Sequence, residues 1–181
     1  MLEISLPALA SVDDLATLTE SSPSSSKLLL SLKRASSRFR GAVGHPVSLI
    51  TDDTVLLDGD GSQSLLLPAA PVVGTPSVKI DGVLVTNYRT SAARGALRRQ
   101  EGWPDDLGGI EVTYSHGFAS IPGDIQDAVL EQAELQYKVL TGVQQASLGA
   151  QSVTFGVQAS VGVTQRWAEC VARYQLKDGR S

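Results

Sequence analysis

Residues 110–114 alternate strictly: Ile110, Val112 and Tyr114 are apolar, Glu111 and Thr113 polar, so the segment predicts a strand with one buried and one wet face. Ser115, His116 and Gly117 break the alternation. Ile121-Pro122-Gly123-Asp124 then opens a helix, because proline at a first helical position has its φ pre-set and lacks only an N–H that would be unpaired there anyway. Ile125, Ala128, Val129, Ala133, Leu135, Val139 and Leu140 recur at spacings of three and four, leaving Glu131, Glu134 and Lys138 for other faces, which predicts a long helix over about 122–141.

The same period appears twice upstream. Ser11 is a good N-cap with Asp14 three residues on, and Val12, Leu15 and Leu18 share a face, predicting a short helix over about 11–20. Leu28, Leu32, Ala35 and Phe39 form the stripe of a second helix over about 26–41, which Gly41, Gly44 and His45-Pro46 end. From about 47 to 114 the period becomes that of strands. Two hairpins are expected, one around Asp58-Gly59-Asp60-Gly61 and one around Asp81-Gly82, with Pro68, Pro71 and Pro76 keeping the stretch between them out of any central strand position. A short strand is assigned near Ala96–Arg99.

Beyond Gly142 the chain is rich in Gln, Ser and Gly. Val153, Phe155 and Val157 then alternate as a strand would, and Thr164 is placed to cap a last helix carrying Trp167, Val171 and Tyr174 at spacings of four and three. The plan is α+β: a small helical bundle with an inserted antiparallel β-hairpin region, residues 1–142 as core, and residues 143–181 as a C-terminal docking arm of strand plus short helix. Such an arm has too little apolar surface to fold alone and must dock on its own domain or on a neighbour.

Composition narrows the chemistry. With 181 residues one domain is the default, and a net charge of −4 argues against a dedicated nucleic-acid binder. The arginines from Arg34 to Arg40 read as the solvated side of an amphipathic helix. The single cysteine, Cys170, reads as a buried thiol, and two distant histidines do not make a metal site. The Asp58-Gly-Asp60-Gly run starts like a calcium loop but lacks its third acidic position and closing Glu, so a plain turn is expected. No phosphate-cradling glycine loop or strained-serine motif occurs. No catalytic residue, metal or cofactor is expected. The different-class alternative is a small enzyme using His116 as a general base, against which stands the absence of an identifiable acidic orienting partner. Trp103, beside Pro104, reads as a core plug, while Trp167 is open between packing within the chain and docking on another subunit. The start M-L-E-I-S-L-P lacks the pattern of a signal peptide and no apolar run has membrane-spanning length, so a soluble chain working where it is translated is expected.

V-T-Y-S-H-G-F followed by I-P-x-D-I and a helix with a Tyr near its end resembles the head-to-tail adaptor (head-tail connector) proteins of tailed phages, especially those infecting actinobacteria. Leu29–Phe39, Val78-Lys79-Ile80-Asp81-Gly82, and Leu97-Arg98-Arg99 before Gly102-Trp103-Pro104 follow that family's pattern in the same order, so the resemblance runs from about Leu15 to Tyr174. It implies a virion neck protein, made in the host cytoplasm. Copies would form a ring, twelvefold by family expectation, under the portal protein, extend the DNA channel, and present a platform for a stopper or tail-completion protein. DNA would pass without specific binding, and no membrane is involved. A stopper or tail-completion protein is the nearer alternative. Under this reading the helices pack side by side between subunits and the β region from Val47 to Val85 faces the tail or the next subunit. The arm from about Gln144 to Tyr174 reaches the portal, with Val153, Phe155, Val157, Trp167, Val171 and Tyr174 as its interface residues.

Overall fold

The computed structural model describes residues 6–141 and 163–176, which fall into two compact units. The first, helical, contains the chain up to Val43 and the chain from Ile121 to Gln175; the second, β, contains Gly44–Ser120.

The helical unit holds α1 (Val12–Leu18), α2 (Ser26–Val43), α3 (Gly123–Leu140) and α4 (Gln165–Tyr174). Ser11 caps α1 by accepting the Asp13 and Asp14 backbone N–H groups at 3.2 and 3.3 Å. This satisfies donors that a helix start otherwise leaves without partners. The stripe of α2 (Leu28, Leu32, Ala35, Phe39 and Val43) is buried, as are Ile125, Ala128, Val129 and Ala133 of α3. Beside the hydrogen-bonded Ser31 and Ser36, this layer also holds an amide: Gln132 is 1% exposed, and neither its Nε2 nor its Oε1 has a partner among the described residues. The N-terminal segment is tied to α2, since the Leu9 N–H donates to the Ser36 hydroxyl at 3.1 Å and the Arg40 guanidinium donates to the Pro7 carbonyl.

The β unit contains β1 (Ile50–Leu57), β2 (Ser64–Leu66), β3 (Val72–Ile80), β4 (Val83–Val85), β5 (Tyr88–Ser91), β6 (Ala96–Arg99) and β7 (Ile110–His116). They make a four-stranded sheet in the order β1-β7-β3-β4 and a three-stranded sheet in the order β2-β6-β5, with every pairing between these strands antiparallel. β7 buries Ile110, Val112, Tyr114 and His116 and leaves the residues between them half-buried. These side chains join Val72 and Val78 of β3, Leu65 and Leu97 of the other sheet, and Trp103 in one apolar cluster. Trp103, 3% exposed and tilted against Tyr88 with 6.2 Å between rings, is the core plug its neighbours predict.

Two expectations for this region need correction. β3 and β4 do form the Asp81-Gly82 hairpin, with both turn residues at positive φ (50° and 78°), as a two-residue type I′ loop requires. β1 and β2, however, do not pair: β1 joins β7 and β2 joins β6. Gly59 therefore serves close approach, not a hairpin turn. A Cβ there would lie 1.8 Å from the Pro104 carbonyl oxygen, and the Gly59 N–H donates to the Asp106 carbonyl at 2.9 Å. Second, Pro76 lies inside β3, an interior strand, and sits where the register with β7 shifts between Val73 and Ser77. The missing proline donor falls at that ladder irregularity, and the Pro76 carbonyl accepts the Tyr88 hydroxyl instead. β5, for which no expectation arises from the sequence, has no apolar alternation to announce it and is defined only by its pairing with β6.

Candidate functional site

The interface positions expected on the arm divide in two. Val153, Phe155 and Val157 lie outside the described residues. Trp167, Val171 and Tyr174 lie on α4, and the Thr164 hydroxyl caps this helix by accepting the Trp167 N–H at 3.2 Å. The Trp167 ring is 3% exposed and meets Phe39 of α2 edge-on, with 5.2 Å between centroids and 84° between planes. The Arg38 guanidinium lies 6.0 Å from the same ring, a cation–π distance. Trp167 is thus packed inside its own helical unit.

Both ends of α4 are fixed to α3. At the first end, the Thr164 hydroxyl donates to the Glu131 carboxylate at 3.1 Å. At the other, the Asp124 carboxylate accepts the Arg173 guanidinium at 2.7 Å and the Tyr174 hydroxyl at 2.9 Å, while its own helix supplies the Ile125 N–H at 3.0 Å. α4 therefore runs antiparallel to α3. Burial pushes the Tyr174 phenol up to about 12, and the hydrogen bond to Asp124 acts in the same direction because an anionic oxygen facing that carboxylate is disfavoured. The Cys170 thiol, buried in the same seam with the Asp124 carbonyl 3.6 Å away, is raised to about 11, first by burial and then by the Asp124 charge. A thiol held neutral at physiological pH is a poor nucleophile and metal ligand. The expectation missed Asp124 as the seat of α4: its sequence signal was only that of an acidic first turn.

His116 does have the acidic partner that sequence alone does not identify. It is 1% exposed, and its Nε2 faces the Asp53 carboxylate at 3.1 Å across the β1–β7 ladder. The pair lies where the ladder register shifts between Ile50 and Asp53, with Asp52 at positive φ. The neighbouring Ser115 hydroxyl accepts the Asp52 N–H at 3.1 Å and so braces the same irregularity. The pair ties β1 to β7 at that register shift, with the His116 ring buried and the Asp53 carboxylate reaching the surface. His45, also buried, places Nδ1 2.8 Å from the Pro46 carbonyl.

The remaining candidates are accounted for by local structure. Asp58 accepts the Gly108 N–H at 2.7 Å and Asp60 the Ser62 N–H at 3.0 Å, so both carboxylates of the calcium-like run stabilise loops. Among the described residues no three His, Cys, Asp or Glu side chains converge as a metal site would require. Of the α2 cations, Arg38 and Arg40 are used inside the helical unit, and burial lowers the Arg40 pKa, while Lys33 and Arg34 face solvent. A groove of about 730 Å³ separates the N-terminal segment from α2, lined by Leu6, Pro7, Val12, Leu29 and Leu32 with Lys33 at its side.

No family model matches this chain, and no curated protein matches it. Solved structures do. A chain from the neck of an empty GTA particle, computed with C6 symmetry, aligns over 90% of this chain and 88% of its own, with 22% identity and a TM-score of 0.52. A chain from the neck of a native GTA particle, computed with C12 symmetry, aligns over 92% and 94% with 20% identity and a TM-score of 0.51. A chain of the virion of the native gene transfer agent (GTA) particle aligns over 96% and 91% with 20% identity and a TM-score of 0.51. At these identities the likeness is one of fold, and it spans both units.

Proposed function

We propose that this chain is a structural component of a phage-like neck, specifically a head-to-tail adaptor. In this reading it assembles as a ring under the portal protein, lengthens the DNA channel, and carries the stopper or tail. The single observation that supports the reading most is the fold shared over about nine-tenths of both chains with proteins of a particle neck, one of them in a C12 assembly. A ring of twelve copies follows that symmetry. The chain would serve as scaffold, not catalyst, with genomic DNA passing through an assembly of acidic subunits that each neutralise few phosphates.

In the same reading residues 144–162 supply the portal contact, with Val153, Phe155 and Val157 as its apolar side chains, while Trp167, Val171 and Tyr174 anchor the far end of that segment to the helical unit. The test is co-sedimentation with the portal ring from the same genome. Full-length protein is compared with a variant in which residues 144–161 are replaced by a Gly/Ser stretch of equal length, leaving α4 in place. Binding by the first and not the second supports both the adaptor role and the contact. Binding by both removes the contact but keeps the role. Binding by neither, alongside capture by an isolated tail tube, moves the protein to the stopper or tail-completion class.

A further inference from the structure

The outer face of the three-stranded sheet carries an electrostatic conflict. Arg89 of β5 and Arg98 of β6 are directly opposite in the antiparallel register, both exposed, and like charges so placed destabilise a sheet. Neither has a carboxylate within ion-pair distance among the described residues; Arg98 reaches only the Gln63 amide oxygen, at 3.3 Å. The nearby Glu101 is taken up by Arg99 and Asn87. The two arginines line a polar cleft of about 550 Å³ with Gln63, Asn87, Tyr88 and Gln100. Two positions further along the same outward row of β2 and β6 lie Leu66, 43% exposed, and Ala96, its cross-strand partner.

The same unit carries the complement. Asp105, Asp106 and Leu107 form an exposed tip after Trp103, and Leu107 is 83% exposed, the highest value among the exposed large apolar residues described. The tip is held in one shape from its root. The Asp106 carbonyl accepts the Gly59 N–H at 2.9 Å, the Asp106 carboxylate accepts the Leu107 N–H at 2.8 Å, and the Gly108 N–H is bound by Asp58. Pre-ordered groups lose little entropy on binding.

We infer that the Asp105-Asp106-Leu107 tip of one copy docks in the Arg89–Arg98 cleft of the next, its carboxylates paired with the two guanidinium groups and Leu107 resting on Leu66 and Ala96. Arginine forks match carboxylates in two-point geometry, and the apolar contact beside them removes water from the pairs. Tip and cleft are different surfaces of the same unit, so the contact is head-to-tail, the kind that closes into a ring when its rotation permits. The inference deepens the ring reading above and rests on it.

Two single-cysteine proteins in a Cys170→Ser background, Leu66→Cys and Leu107→Cys, test it directly. Mild oxidation of their mixture yields a disulfide-linked dimer at least about tenfold above either protein alone, and about 0.5 M salt reduces the yield. R89E with R98E in the Leu66→Cys protein abolishes the product, and adding D105R with D106R to the Leu107→Cys protein restores it; circular dichroism verifies that each variant is folded. Rings seen by electron microscopy without the 66–107 cross-link overturn this contact and leave the ring reading standing. Absence of both rings and cross-link overturns both. A cross-link indifferent to charge inversion overturns the ionic basis. If the arginine variant instead loses salt-dependent binding of duplex DNA while cross-linking normally, the cleft is a nucleic-acid surface and the inference is wrong.

Discussion

The two units hold themselves together differently. The β unit is closed by a shared apolar cluster between two sheets, in which Leu97, Ile110, Val78 and Val112 are fully buried and Trp103 nearly so. The seating of α4 in the helical unit depends on a few localised contacts: one aromatic pair with α2, at Phe39 and Trp167, and on α3 the Glu131 carboxylate taking Thr164 and the Asp124 carboxylate taking Arg173 and Tyr174. Distributed packing fails as a whole, whereas a seam held at a few points opens locally. The difference separates a frame from a fastening.

Truncating the plug should have the largest effect. Trp103→Ala removes a buried indole from the cluster and should cost about 3–5 kcal/mol, melting the β strands in thermal circular dichroism. If the helical signal melts unchanged while the strand signal is lost, the units are energetically separate; a single joint transition at lower temperature would erase the contrast. Asp124→Ala comes next. It leaves Tyr174 and Arg173 without their acceptor and should cost about 1–2 kcal/mol, the lower end favoured because Arg173 is well exposed. Hydrogen exchange should rise in α4 alone, and a uniform rise across α2 and α3 would show that the seam is no local fastening.

The next effect has the opposite sign. Gln132→Leu exchanges a buried amide lacking partners for a side chain of similar volume that suits its apolar layer, and should raise stability by roughly 1 kcal/mol in urea unfolding. Destabilisation would reveal a polar partner for Gln132 in the assembled protein. The smallest effect, nil at neutral pH, is expected on alkaline titration. Cys170 and Tyr174 are raised to about 11 and about 12 from ordinary values of 9.0 and 10.0, so the folded state holds their protons more tightly than the unfolded one. Their stabilisation is complete below about pH 9 and is lost as pH climbs through the folded values. Tyr114, raised to about 12 by burial in the β unit, gives up its share only above about pH 10. Trp167 fluorescence in a Trp103→Phe protein should therefore change at lower pH than the strand signal; simultaneous change would contradict the assignment.

Local patterns in the sequence predicted local structure well. All four helices follow from period and capping: Ser11, the Leu28–Phe39 stripe and Thr164 act where their chemistry suggests, while Pro122, expected at the first helical position, sits one residue earlier as the N-cap with an extended ψ of 142° and α3 starts at Gly123. The Asp81-Gly82 hairpin is equally local. What the sequence did not reveal is partner choice over distance. β1 pairs with β7 about sixty residues away in preference to β2, its neighbour in sequence, and Asp53 meets His116 only through that pairing. β5 hides because Tyr88-Arg-Thr-Ser lacks alternation, and with it hides the opposition of Arg89 and Arg98. At the seam, the spacing of Trp167, Val171 and Tyr174 predicted one face of a helix, but not which surface would cover it. The answer lay in an aspartate that sequence reading assigned only to a helix start.

The antiparallel seating of α4 also has a mechanical consequence. α3 is followed by its cap Thr141, whereas Thr164 is held beside Glu131, ten residues back from that cap, or about 15 Å by helical rise. Thr141 and Thr164 are thus both held within the helical unit, at points well separated along α3. A pull on α4 from its Thr164 end therefore loads the Glu131 contact first and the Asp124 seat only after it, so the helix yields at two fixings in turn and does not peel from one.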